Sequence, residues 1–93
     1  MLQMTLKIKG KVQKVGFRYS VVDFVANQQN SLVGYVKNEP DGSVEVVAQG
    51  NIESLKELHR FCTSGPAGAE VREMTEDFSS ISKFTFSDFT LVS

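Results

Sequence analysis

Met4-Thr5-Leu6-Lys7-Ile8-Lys9-Gly10-Lys11-Val12-Gln13-Lys14-Val15-Gly16-Phe17-Arg18 passes from one hydrophobic periodicity into another. Met4, Leu6, Ile8 and Val12 share one side of a period-two repeat, with Thr5, Lys7, Lys9 and Lys11 on the other, so the stretch predicts a strand with one wet face. Beyond Gly16 the repeat lengthens. Phe17, Val21, Phe24 and Val25 recur at i, i+4, i+7 and i+8, the spacing of a helix with one buried stripe. That helix begins near Phe17 or Arg18 and fades in the polar stretch Asn27-Gln28-Gln29-Asn30.

Further along, Leu32 to Asn38 and Ser43 to Gln49 are two valine-rich runs joined by Glu39-Pro40-Asp41-Gly42. Proline pre-sets the turn and glycine accepts positive φ, which predicts a β-hairpin with Asn38 at its edge. Asn51 is placed to cap a second helix, with Glu53 in its first turn and Ile52, Leu55, Leu58 and Cys62 on the buried face. Ser64-Gly65-Pro66 stops it. A weakly alternating stretch from Glu70 to Glu76 reads as an edge strand. Phe84 to Val92 reads as a stronger one, with a slip between Phe86 and Phe89 that suggests a bulge. The order β-α-β-β-α-β plus a C-terminal strand is that of the α+β, ferredoxin-like split βαβ sandwich: an antiparallel sheet with both helices on one face.

At 93 residues, 41% hydrophobic and 23% charged, the chain is expected to form a single domain spanning 1–93. Runs of apolar residues are short, so neither a transmembrane helix nor a signal-peptide core is expected, and a cytoplasmic protein is. One cysteine and one histidine leave no internal disulfide and no thiolate or imidazole metal cluster. Charge is unevenly placed. Residues 1–38 carry six basic side chains against Asp23, a net +5, whereas residues 39–93 carry four basic and ten acidic, a net −6. The N-terminal third is suited to an anion, although such a charge run is also what an ordinary solvated face looks like.

The loop from Gln13 to Gly16 concentrates the chemistry. A loop entering a helix presents backbone N–H groups that no intrahelical carbonyl can accept from, and the helix dipole adds positive charge there. Arg18, in the first turn, can place a two-pronged guanidinium on phosphate oxygens. The competing reading is an ordinary turn glycine beside an exposed arginine. Known phosphate motifs do not fit: five residues separate Gly10 from Gly16, no Lys-Ser/Thr follows, and no Gly-x-Gly-x-x-Gly occurs. Six positions after Cys62 stands Gly68 rather than the arginine a phosphocysteine loop needs, and Cys62 lies on the apolar stripe. His59, without a second ligand nearby, reads as structural.

Gly10-Lys11-Val12-Gln13, Val15, Phe17-Arg18, then Leu32-Val33-Gly34-Tyr35-Val36-Lys37-Asn38, Asp41-Gly42-Ser43-Val44 and Phe86-Ser87-Asp88-Phe89 together resemble the acylphosphatase family over nearly the whole chain. The resemblance implies hydrolysis of an acyl phosphate to a carboxylate and inorganic phosphate, with no metal and no cofactor. It implies that the loop backbone, Gln13, Lys14, Val15, Gly16 and Phe17, binds the phosphate together with Arg18, and that Asn38 orients the attacking water. Acyl phosphates carry a good leaving group, so neutralising phosphoryl charge and aiming a water suffices. A small-molecule substrate, no nucleic acid, no membrane and a monomeric state are the matching expectations.

The chain departs from the family pattern at Lys14, where a second glycine is usual. A positive φ there would strain a lysine by about 1–2 kcal/mol; alternatively its ammonium adds a cation beside the phosphate. Two other readings follow. One is a catalytically weakened phosphate-binding or regulatory domain of the same fold. The other is an RNA-binding module, disfavoured because Met4 to Val12 and Ser43 to Gln49 contain no aromatic residue on which a base could stack.

Overall fold

In the computed structural model, which describes residues 1–29 and 31–92, the expected order of elements is present: β1 (Leu2–Lys11), α1 (Phe17–Ala26), β2 (Val33–Asn38), β3 (Val44–Gly50), α2 (Ile52–Ser64), β4 (Glu70–Ser80) and β5 (Phe89–Val92). Asn30, in the polar stretch after α1, lies outside the described residues. The five strands form one sheet in the order β4-β1-β3-β2-β5.

Alternation along β1 works as its pattern requires. Met4, Leu6 and Ile8 are fully buried against the helices, while Lys7, Lys9 and Lys11 are exposed on the other face. Val36, Val44, Val46 and Ala48 continue the same buried layer, and Phe17, Val21, Leu55, Leu58 and Cys62 cover it, so both helices lie on one face of the sheet. Burial pushes the Cys62 thiol up to about 12, as desolvation disfavours a thiolate. Ile52, expected on the buried face of α2, is instead 38% exposed, because it is the first helical residue and overhangs the edge of the layer. Asn51 caps α2 as expected, its side chain accepting from the Ser54 N–H at 2.9 Å.

Two features correct the sequence reading. The sheet is mixed. β1/β3, β1/β4 and β2/β3 are antiparallel, but β5 runs parallel to β2, with Val92 beside Lys37. Second, the last strand spans only Phe89–Val92, and β4 runs on to Ser80. The segment 81–88 is a connection rather than a bulged strand, because it must carry the chain from one edge of the sheet to the other. It crosses the open face. Gln49, almost fully buried there, donates to Thr85 Oγ1 at 2.7 Å and accepts from the Thr85 N–H at 2.9 Å, while the Phe86 ring meets Tyr35 edge-on at 5.7 Å.

Candidate active site

Local backbone shape explains why the loop after β1 can receive an anion. Lys14 has φ 63 and Gly16 has φ 76, whereas Val15, between them, does not have positive φ. Alternating handedness of this kind turns successive N–H groups towards a common point, the concavity known as a nest. Gly16 occupies the N-cap position of α1 without any side-chain cap, and the first helical bond runs from the Ser20 N–H to its carbonyl at 3.0 Å. No carbonyl among the described residues accepts from the amides of Lys14, Val15, Gly16 or Phe17. Those amides, reinforced by the α1 dipole, form a concavity suited to an anion.

Side chains of the same loop do something different. Phe17 is buried in the core and packs against Gly65, where a Cβ would collide with its ring. Burying such a ring favours the folded state by roughly 1.5–3 kcal/mol. Val15 packs partly against the same core. These residues therefore anchor the loop from below and leave only their backbone free for a ligand. Gln13 is a cross-link: its Nε2 donates to the carbonyls of Glu39 at 2.8 Å and Ser43 at 2.9 Å, tying the loop to the β2–β3 turn. The family resemblance gives Gln13 a phosphate-binding place through the loop backbone; its side chain is engaged with the protein. Lys14 is exposed.

That turn is itself braced. Asp41 accepts from the Ser43 N–H at 3.0 Å and the Ser43 hydroxyl at 2.6 Å, and pairs with Lys7 at 2.9 Å. The two Ser43 hydrogen bonds, then the Lys7 ammonium, hold its carboxyl well below the usual carboxylate range. Tyr35, partly buried and donating to Glu45 Oε1 at 2.8 Å, is pushed up to about 12 by desolvation first and by that carboxylate second. The open face around the turn is thus internally satisfied.

Strand register relates Arg18 to the end of β2 that carries Asn38. Arg18 Nη1 donates to the Val92 carbonyl at 3.1 Å. Val92 is the parallel partner of Lys37, and Asn38 follows at the end of β2. Adjacent strands lie about 4.8 Å apart, so the guanidinium is held beside the strand end that carries the amide. Asn38 Oδ1 is buried and accepts no hydrogen bond among the described residues. Buried acceptors of this kind are uncommon, because desolvating one without a partner costs about 1–3 kcal/mol. The Val92 carbonyl, the Gln13 cross-link and the Asp41 brace were all missed in sequence; the spacing Asp41-x-Ser43, which suits a side chain bonding two residues on, was the one available signal.

Fold and site together define a class: small α+β sandwiches with a nest and an arginine at the start of a helix and a polar amide at the end of a sheet strand. Within that class, the family described as Acylphosphatase matches residues 4–91. The chain is 41% identical over 91 residues to the acylphosphatase of Pasteurella multocida (strain Pm70), with 98% of each chain covered. It is 40% identical over 93 residues to that of Actinobacillus succinogenes, again covering 98% of each. The crystal structure of acylphosphatase from Bacillus subtilis superimposes with a TM-score of 0.89 over 100% of both chains, at 32% identity. This chain belongs to the acylphosphatase family.

Proposed function

We propose that the chain hydrolyses the carboxyl–phosphate bond of small acyl phosphates, with Arg18 and the loop amides of residues 13–17 binding the phosphoryl group and Asn38 orienting the attacking water. The observation that carries this assignment is the bond from Arg18, in the first turn after the nest, to Val92, whose strand partner Lys37 precedes Asn38. The nest and guanidinium offset charge on the phosphoryl oxygens, most of all where it is spread in the transition state. Asn38 Oδ1 accepts one O–H of a water and so aims its lone pair at phosphorus. The water oxygen forms the new P–O bond, the bond to the acyl oxygen breaks with its electron pair leaving on the carboxylate, and the water's proton ends on phosphate or in solvent.

No side chain changes protonation in this scheme, and neither metal nor cofactor takes part. No group of three or more metal-ligating side chains occurs among the described residues. Phosphoryl recognition supplies the contacts, so the acyl group is read loosely. Residues 1–93 act as a single monomeric domain in the cytoplasm, without a nucleic-acid partner; no helix among the described residues is long and apolar enough to cross a membrane. Lys14 adopts the left-handed conformation a glycine would take, which favours a working cradle over a weakened phosphate binder.

Hydrolysis of an aryl acyl phosphate by purified variants tests the assignment. Arg18→Ala is expected to lower affinity and turnover, and Asn38→Ala mainly turnover, each by roughly a hundredfold, the scale of losing a preorganised hydrogen-bonding group. Arg18→Lys rescues little because it loses the fork. Near-normal hydrolysis by Arg18→Ala or Asn38→Ala refutes the roles given to these residues.

A further inference from the structure

At the opposite edge of the sheet from β5, a groove of about 620 Å³ lies between α2 and β4. Leu2, Ile52 and Phe78 give it an apolar surface, and the latter two stand 38% and 39% exposed. Exposed apolar side chains gathered in a concavity, rather than scattered, mark a place where something apolar can be covered.

Two cations border that surface. Lys56 and Arg60 both line the groove, at i and i+4 on α2, a spacing that sets their Cβ atoms about 5–6 Å apart on one face. Neither forms an ion pair among the described residues. The two acids of α2, Glu53 and Glu57, lie outside the lining, and Glu57 accepts from Gln28 of α1 at 3.1 Å. Glu76 of β4 is the carboxylate in the lining, 3.1 Å from His59 Nε2. That approach lacks the direction of a hydrogen bond, so His59 Nε2 is close to Glu76 without being satisfied by it.

The geometry points to a second binding site on this chain, one that takes a small monoanion with an apolar body, a medium-chain alkyl or aryl carboxylate. Its head group sits between Lys56 and Arg60, where it makes charge-assisted hydrogen bonds, and its hydrocarbon covers Leu2, Ile52 and Phe78. Two cations against one lining carboxylate leave an excess of one positive charge, which matches a single negative charge. A phosphate dianion would leave the groove with a net negative charge instead of a neutral one. The groove shares no residue with the Arg18–Asn38 site, so the two assignments stand or fall separately.

Titrating the intact ¹⁵N-labelled chain with octanoate, with inorganic phosphate kept saturating to fill the catalytic loop, tests the site directly. Saturable amide shifts are expected across residues 52–63 and 76–78. Octan-1-ol, which keeps the chain and loses the charge, is expected to bind at least tenfold more weakly, and octyl phosphate no more tightly than octanoate. Lys56→Gln/Arg60→Gln and, separately, Phe78→Ser, all at exposed positions, are each expected to weaken octanoate at least tenfold while leaving acyl phosphate hydrolysis unchanged. Octanol binding as tightly as octanoate, tighter octyl phosphate, shifts confined to residues 13–18, or concentration-dependent self-association through this face in sedimentation runs would each overturn the proposal.

Discussion

Replacing Lys14 by glycine separates backbone strain from charge at one position. An L-residue in the left-handed region, as Lys14 is at φ 63, is held there at a cost of about 1–2 kcal/mol. Glycine removes that cost but gives back about 0.4–1 kcal/mol through a freer unfolded chain. The net gain is about 0.5–1 kcal/mol. For a chain of 93 residues the unfolding entropy near the midpoint is about 0.2 kcal/mol/K, so Tm is expected to rise by about 3–5 °C. Lys14→Ala keeps the Cβ and loses the ammonium, and is expected to melt within about 2 °C of the parent. Calorimetric melting of the three proteins, with phosphate inhibition measured at low and physiological salt, gives the comparison. An exposed ammonium is screened within about 8 Å at physiological ionic strength, so any charge effect on phosphate shrinks as salt rises. A Tm for Lys14→Gly at or below that of the parent, with a phosphate constant markedly weaker at low salt, would refute the strain account and make the lysine an anion-capturing group.

Gln13→Leu removes both bonds from the loop to the β2–β3 turn yet leaves the backbone amides in place; turnover is expected to fall about tenfold or more, with a smaller change in phosphate inhibition, as mispositioning of the water-aiming amide predicts. Exhaustive chelation is expected to leave hydrolysis intact, and Cys62→Ser to lower Tm through a hydroxyl in an apolar site while retaining activity per folded molecule; abolition by chelator with rescue by a divalent ion contradicts the mechanism. Asp41 has its folded-state carboxyl lowered, so its contribution is in place above about pH 4 and is lost as pH falls through the folded value. Asp41→Asn is therefore expected to differ most from the parent near neutrality and to converge with it in acid, and denaturant midpoints across that range check the trend.

What was legible in the chain followed from local pattern. The onset of α1 at Phe17, the Asn51 cap and the Pro40–Gly42 turn depend on near neighbours, and each lies where periodicity and turn chemistry put it. The parallel pairing of β5 did not show, since direction in a sheet is set by how 81–88 crosses the open face, a matter of long-range packing. Phe84 and Phe86 looked like strand residues for their aromaticity alone; in the structure Phe84 is 49% exposed and Phe86 rests on Tyr35. Of the proposed site, the loop and Arg18 stand out through helix-terminus physics. Asn38 stood out through family resemblance, because an asparagine ending a strand is ordinary in itself. Val92 left no trace: its carbonyl has no side-chain signature, and its partner is 74 residues away.

The bond from Arg18 to Val92 has a meaning for synthesis. A ribosome releases the phosphate loop and the β2–β3 hairpin long before β5, yet the arginine takes its bearing from a carbonyl in that last strand. On the role proposed for Arg18, competent hydrolysis therefore waits until β5 has emerged and docked along β2. On that assignment chemistry is a late event in the life of each molecule, dependent on the docking of β5.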